Sequence, residues 1–348
     1  MVESCDEVST RLTLANLYLS MSAFDESAEQ LNEALKLDAG NSELWSTLGR
    51  CLSRQNKWEE ALKAFQSAAE IEPHDSETLY NIGDAFLGLG QPEKAVGPLL
   101  QAVRSRHDYS LAHYDLSLAF LELKKYQEAE MSARAALRDD PDMAFQLSNL
   151  GLGATDNLGL ALMNQGQMEE AEACFKRNLG LVASTYFNLG LTLFRTQRYT
   201  EALENFRRAL DLEPDNPEFH DLLGQTYDEL GQPVEAEKSL RRAIELDESY
   251  AIGHYDLGFA LVKREGRKQE ALAAFERAVK LDPDMAPAYY DIACIHAVSK
   301  EEGPALAYLE KALNKGYREL AHIEKDPDWN GLRTKPKFIR LLEKYRET

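Results

Sequence analysis

Apolar and small residues return along this chain at a fixed interval. Trp45, Leu48, Gly49, Ala61, Phe65, Ala68 and Pro73 are echoed 34 residues on by Leu79, Ile82, Gly83, Ala95, Leu99, Ala102 and His107. A period of this length marks stacked supersecondary units, each too small to bury its own apolar face. Every unit reads as two helices. One slot in the first helix is always small: Ala15, Gly49, Gly83, Ser117, Gly159, Gly190, Gly224, Gly258 and Ala293. The start of the second helix is small as well, at Ser27, Ala61, Ala95, Ala129, Ala171, Ala202, Ala236, Ala271 and Ala305. Small residues at both places let the paired helices approach closely.

The punctuation between these runs agrees. Gly90, Gly166 and Gly231 stand where a first helix needs a left-handed cap, and Pro92 and Pro233 open the helix that follows. Pro73, Pro141, Pro214 and Pro283 close second helices, and Asp75-Ser76 and Asp215-Asn216 offer N-caps to the next pair.

The pattern of Trp45, Leu48 and Gly49, then Ala61 and Phe65, then Ala68 and Pro73, resembles the tetratricopeptide repeat over residues 10–313. The resemblance implies an all-α, right-handed superhelical α-solenoid of about nine helix-turn-helix repeats plus a C-terminal capping helix. Four segments are expected: repeats one to four at 8–143, an irregular fifth repeat at 144–182, repeats six to nine at 183–313, and a capping segment at 314–348. The register breaks in the fifth repeat, where Asn149-Leu150-Gly151-Leu152 is duplicated eight residues on as Asn157-Leu158-Gly159-Leu160. Eight residues make about two helical turns, so a longer first helix through residues 151–154 is expected, with a hinge at Gly151 and Gly153 as the rival. In the last segment Phe338, Leu341, Leu342 and Tyr345 share a helical face that can cover the last repeat.

A net charge of −20 argues against nucleic acid or an anionic membrane surface as partner and favours basic or neutral peptides. The acidic N-terminus does not read as an export signal, and no apolar run is long enough to enter a membrane, so a cytoplasmic location is expected. Cys5, Cys51, Cys174 and Cys294 lie far apart and suggest neither disulfides nor zinc.

Chemistry-bearing motifs fail on inspection. Asp326, Asp328, Asn330 and Gly331 match the first half of a calcium loop, but its closing carboxylate position is Lys337. Gly151-Leu152-Gly153 opens like a dinucleotide loop whose third glycine slot is Asp156. His113, His220 and His254 occupy the slot of Trp45 and read as packing residues. No nucleophile elbow, phosphate loop or catalytic carboxylate pair is legible, so no enzyme, no cofactor and no metal is expected.

Function is then sought on the first helices, which line the concave wall of such arrays. One step after the Trp slot come Tyr80, Tyr114, Phe187, Tyr255 and Tyr290, with Asp156 and Asp221 in two repeats. Four residues further lie Asp84, Leu118, Leu160, Leu191 and Phe259, and beside the rings runs a polar column of Asn81, Asp115, Asn157, Asn188, Asp256 and Asp291. In the repeat domain of O-GlcNAc transferases, asparagines at the matching place bond a peptide backbone; this chain looks similar there but carries Asp at half the places. The basic clamp of heat-shock co-chaperones is not matched, since Glu77, Leu111 and Asp115 stand in its positions. The expectation is an adaptor or scaffold binding an extended peptide or partner helix in this groove. Packing of the rings between repeats is the competing reading of Tyr114, Tyr255 and Tyr290. Two alternatives are a self-associating, homo-oligomeric scaffold and the regulatory subunit of an enzyme on another chain.

Overall fold

The computed structural model describes residues 2–144, 153–177 and 182–346. Among these residues there are twenty α-helices and no strand. The first ten helices pair in order: α1 (Val2–Ser20) with α2 (Phe24–Leu37), α3 (Ser42–Arg54) with α4 (Trp58–Ile71), α5 (Ser76–Gly88) with α6 (Pro92–Ser105), α7 (Ser110–Glu122) with α8 (Tyr126–Asp139), and α9 (Ala154–Asn164) with α10 (Met168–Arg177). Four further pairs follow: α11 (Ala183–Arg195) and α12 (Tyr199–Leu212), α13 (Pro217–Glu229) and α14 (Pro233–Leu246), α15 (Ala251–Val262) and α16 (Lys268–Leu281), α17 (Ala286–Val298) and α18 (Glu302–Asn314). The chain closes with α19 (Leu320–Lys325), a 3-10 turn at Pro327–Trp329 and α20 (Pro336–Arg346). The all-α repeat class and the nine pairs are as expected.

Contacts divide the chain into two compact units, Met1–Asn188 and Leu189–Thr348. In the first, α1, α3, α5, α7 and α9 touch in succession, and α2, α4, α6 and α8 each also lean on the first helix of the next pair. In the second, α13 touches α15, while α12, α14 and α16 lean on α13, α15 and α17. Burial therefore comes from neighbours in sequence, as a repeat array requires.

The small slot has a specific occupant. An added Cβ at Gly49 would lie 2.4 Å from the Phe65 ring, and one at Gly258 would lie 2.7 Å from the Phe275 ring. The second helix thus presses a large side chain onto bare backbone of the first, a phenylalanine ring at Gly49, Gly159, Gly190 and Gly258 and a leucine at Gly83 and Gly224. Where the slot holds Ala15 or Ala293, the residue in the facing position is Leu31 or Leu309, in the same core cluster as its alanine. Ser27 adds a polar tie by donating to the Ala15 carbonyl at 2.9 Å.

The expected punctuation is in place. Gly90, Gly166 and Gly231 have φ of 65°, 79° and 69°, and Ser22, Asn56, Lys124, Gln197 and Lys300 take the same left-handed conformation in other pairs. Asp75 caps α5 through the Thr78 amide at 2.8 Å, and Asn216 caps α13 through the Glu218 amide at 3.1 Å. The histidines of the Trp slot also explain themselves. Trp45 Nε1 donates to the Ala39 carbonyl at 2.9 Å, and His220 Nε2 does the same to the Pro214 carbonyl at 2.8 Å, six residues back in each case. A carbonyl can only accept, so His220 carries its proton on Nε2. His113 and His254 repeat the contact at 3.3 Å.

One expectation is corrected. Gly153 is extended (φ −84°, ψ 171°) and caps α9, its amide donating to the Asp156 carboxylate at 3.1 Å. A helix does not continue through its own N-cap, so the longer helix across residues 151–154 is not formed at Gly153. The remainder of the insertion, including Gly151, lies outside the described residues.

At the other end Ile323, Trp329, Leu332, Phe338 and Leu342 are buried together with Ala293 of α17 and Leu309 and Leu313 of α18, with Leu341 and Tyr345 packed against them. The closing segment covers the apolar side of the last pair.

Candidate functional site

The residues singled out on the first helices do not share one degree of exposure. In the first unit Asn81, Tyr114, Asp115, Asn157, Phe187 and Asn188 are buried, while Tyr80, Asp84, Leu118 and Leu160 are half-buried. Tyr80 lies against Tyr109 with ring centroids 5.1 Å apart. Asn157 is wholly buried and donates through Nδ2 to Ser117 Oγ at 2.9 Å. Tyr114 and Asn157 fill the seam of α7 with α9, and the open presentation expected of Tyr114, Phe187 and the Asn81, Asp115, Asn157 and Asn188 column is corrected to an interior one. Burial, and then the charge of Asp84, lifts the Asp115 carboxyl well above the usual carboxylate range.

In the second unit Tyr290 is also interior. Its ring stacks on Tyr317 with centroids 4.5 Å apart, and its hydroxyl donates to Asp326 at 2.5 Å. Asp291 is half-buried, and burial raises its carboxyl to about 6 against the opposing hydrogen bond from Tyr255. Leu191 is half-buried, and Phe259 is 42% exposed.

Tyr255, Asp256 and Phe259 come together. With Phe194, Gln225, Asp228, Glu229, Leu240 and Ala260 they line a cleft of about 160 Å³. The cleft lies wholly in the second unit, where α13 and α15 stand side by side. Residues four apart on one helix share a face, so Gln225 and Glu229 point from α13 to the same place as Tyr255 and Phe259 from α15. Three rings supply its apolar wall, and Asp228 and Glu229 supply charge beside the carboxyl group of Asp256.

Gln225 and Asp256 of the cleft lining connect to Asp221 in a linked pair of acids. Gln225 Nε2 donates to Asp221 at 2.9 Å and to Asp256 at 3.0 Å, and the two carboxyl groups also share a hydrogen bond. Burial first, and in Asp256 the neighbouring charge of Asp221, pushes both above the ordinary carboxylate range. Two buried carboxylates in contact cannot both ionise cheaply, so the pair retains a proton. Tyr250 donates to Asp221 at 3.4 Å, yet Asp221 Oδ1 is buried without a partner. At the rim, Lys263 Nζ lies 2.5 Å from Asp228 and 4.4 Å from the centroid of the Phe259 ring.

Sequence reasoning named Tyr255, Asp256 and Phe259, and Asp221 beside them. It missed Phe194, which carries no periodic signal, and Leu240, whose periodic slot facing Gly224 reads as core rather than as cleft wall. No helix among the described residues is long and apolar enough to cross a membrane.

Profiles described as tetratricopeptide repeat match residues 12–76, 80–144, 222–286 and 255–319, and a second such profile matches 151–212 and 181–249. The chain is similar to the protein O-mannosyl-transferase TMTC3 of Homo sapiens, 25% identical over 64% of this chain and 22% of that protein. It is also similar to the BBSome complex member BBS4 of Bos taurus, 24% identical over 74% of this chain and 48% of that protein. The chain thus spans less than half the length of either relative. The fold is shared with a chain of the APC/C hetero-tetramer Cut9-Hcn1, with a TM-score of 0.56 and 15% identity over 97% of this chain and 76% of that one.

Proposed function

The chain belongs to the tetratricopeptide-repeat family, and from that premise we propose that it is a cytoplasmic protein-binding module which holds an extended segment carrying a basic side chain in the cleft between α13 and α15. A guanidinium or ammonium group is drawn to the face of an aromatic ring and to carboxylates beside it. The cleft offers both, through Phe194, Tyr255 and Phe259 and through Asp228 and Glu229.

The observation that carries this reading is Lys263. The protein's own ammonium group makes both contacts, to Asp228 and over Phe259, at the mouth of the cleft. The rim therefore has the chemistry to hold a cation, and Glu229 adds a second carboxylate beside it. A net charge of −20 adds long-range attraction for a basic partner. Among the relatives, a name that describes membership of a complex suits a module that assembles with other proteins. The O-mannosyl-transferase matches over 22% of its own length, so no reaction is carried across from it.

Selection of a displayed library of random twelve-residue peptides against the protein tests the reading. Enriched peptides should share an Arg or Lys, bind more weakly as salt rises, and lose at least tenfold in affinity to Glu229→Gln or Phe259→Ala. Both positions are exposed, so folding should be kept. Enrichment without a basic residue, or affinity indifferent to both substitutions, overturns it.

A further inference from the structure

A second constellation lies apart from the cleft, where the closing segment meets α17. Cys294 Sγ, from α17, sits 3.8 Å from Asp326 Oδ2, and His322 Nε2, from α19, sits 3.6 Å from the same oxygen. The carboxylate of Asp328 completes the group: its oxygen, that of Asp326 and the Cys294 sulfur all lie within 4.8 Å of one another. From these positions we infer a divalent transition-metal site, best suited to zinc, with Cys294, Asp326 and Asp328 as its gathered donors and the exposed His322, now in contact with Asp326 alone, turning in as the fourth.

The distances support this. Bonds of about 2.0 Å to N or O and about 2.3 Å to S at tetrahedral angles place neighbouring donor atoms roughly 3.3 to 3.7 Å apart. The sulfur-to-oxygen and nitrogen-to-oxygen separations at Asp326 are already close to that spacing. The donor set is also selective. Thiolate and imidazole favour zinc over magnesium or calcium, and the mixture of S, N and O donors fits its borderline character.

The surroundings supply orientation to the central carboxylate. Asp326 Oδ1 accepts the Asp328 amide at 3.0 Å, and Oδ2 accepts the Tyr290 hydroxyl at 2.5 Å. Such partners fix a metal-binding carboxylate from behind. Arg333 bonds the Asp326 backbone carbonyl at 2.7 Å and so leaves the carboxylate to other partners. Among the described residues the ion pair found at Asp326 is that with His322, which is itself a donor in the proposed set.

Binding replaces the Cys294 S–H bond with a sulfur–metal bond, and the proton passes to solvent; no oxidant or reductant is needed. The consequence is a tie between α17 and the closing segment, whose donors lie 32 residues apart in sequence. A ligand held by the folded state alone stabilises it by mass action.

The test uses the whole protein, freed of metal with a chelator and titrated with cobalt chloride. One Co²⁺ per chain should bind with a sulfur-to-cobalt charge-transfer band in the near ultraviolet and intense visible bands of tetrahedral cobalt, and zinc chloride should bleach both. Equimolar zinc should raise the melting temperature. Cys294→Ser should abolish the charge-transfer band. Asp328→Asn and His322→Ala, at exposed positions that leave the fold intact, should each weaken zinc binding at least tenfold. No charge-transfer band at one equivalent, or a band and a melting shift that persist in Cys294→Ser, overturns the proposal and leaves a hydrogen-bonded thiol and carboxyl cluster in its place.

Discussion

Asn157 Nδ2 donates to Ser117 Oγ at 2.9 Å, across the contact of α9 with α7, with both side chains completely buried. Ser117 passes the bond on to the Tyr114 carbonyl at 2.6 Å. The small slot of one repeat is thereby wired to the polar column of the next. Removing a partner from a buried hydrogen bond leaves the other group desolvated and unpaired, at a cost of about 1 to 3 kcal/mol. Asn157→Ala is accordingly expected to lower the urea midpoint of the protein, and Ser117→Ala to do so by less once Asn157 is already gone. A double-mutant cycle measures this coupling; equal and additive effects would show that the contact carries no energy.

The contact of Gly49 with Phe65 leads to a prediction about pairs of residues. A methyl group at position 49 would lie 2.4 Å from ring carbon, so Gly49→Ala forces the ring or the helix to move. Overpacking of this kind costs about 1 to 3 kcal/mol. Ala15 and Ala293 are tolerated with leucine in the facing position. Phe65→Leu should therefore recover part of the loss caused by Gly49→Ala while being destabilising alone, as read from thermal melting of the three variants.

The linked acids Asp221 and Asp256 predict a pH dependence of a particular sign. Asp221 and Asp256 hold a proton in the folded protein that an unfolded chain releases near pH 4. The folded state then binds more protons, so stability from this pair is complete below about pH 4 and declines as pH rises through the folded range. Glu218 beside Asp221 is also raised by burial and works in the same direction. Glu237 opposes it: hydrogen bonds from Arg267 and then Arg241 hold it down to about 2, so its contribution is present above pH 4 and fades as pH falls toward about 2. Asp256→Asn keeps the hydrogen-bonding shape without the ionisation. It should raise the free energy of unfolding at pH 7.5 by about 1 kcal/mol, read as a higher melting temperature, and leave both unchanged at pH 4. A variant that melts lower than the parent at pH 7.5 would show that the shared proton is not what limits stability there.

The closing segment should behave as a lid on the array. Phe338 is 2% exposed and lies 5.2 Å from the Trp329 ring, and both belong to the core of the last pair. Phe338→Ala is expected to cost about 3 to 5 kcal/mol. Deleting residues 336–348 should expose Leu309 and Leu313 and bring about self-association, visible by light scattering. A truncated chain that stays monomeric and melts unchanged would make the segment an appendage.

The sequence by itself determined how many helix pairs there are, where each turns and which slots must be small. Those features repeat, and a repeat reports on contacts within a pair and with the next pair in line. Gly90 at φ 65°, Asp75 as a cap and the Gly49 slot were all legible for that reason. Only the tertiary structure decided which residues of the first helices remain accessible. Asn157 and Phe259 both lie on the face that periodicity assigns to the groove, yet one is sealed against α7 and the other is 42% exposed. Exposure at that face depends on the size and lean of the neighbouring repeat's side chains, which vary while the period stays constant. The same holds for Cys294 and Asp326: no spacing rule relates residues 32 apart, and it is the return of the closing segment onto α17 that brings thiol and carboxylate to 3.8 Å.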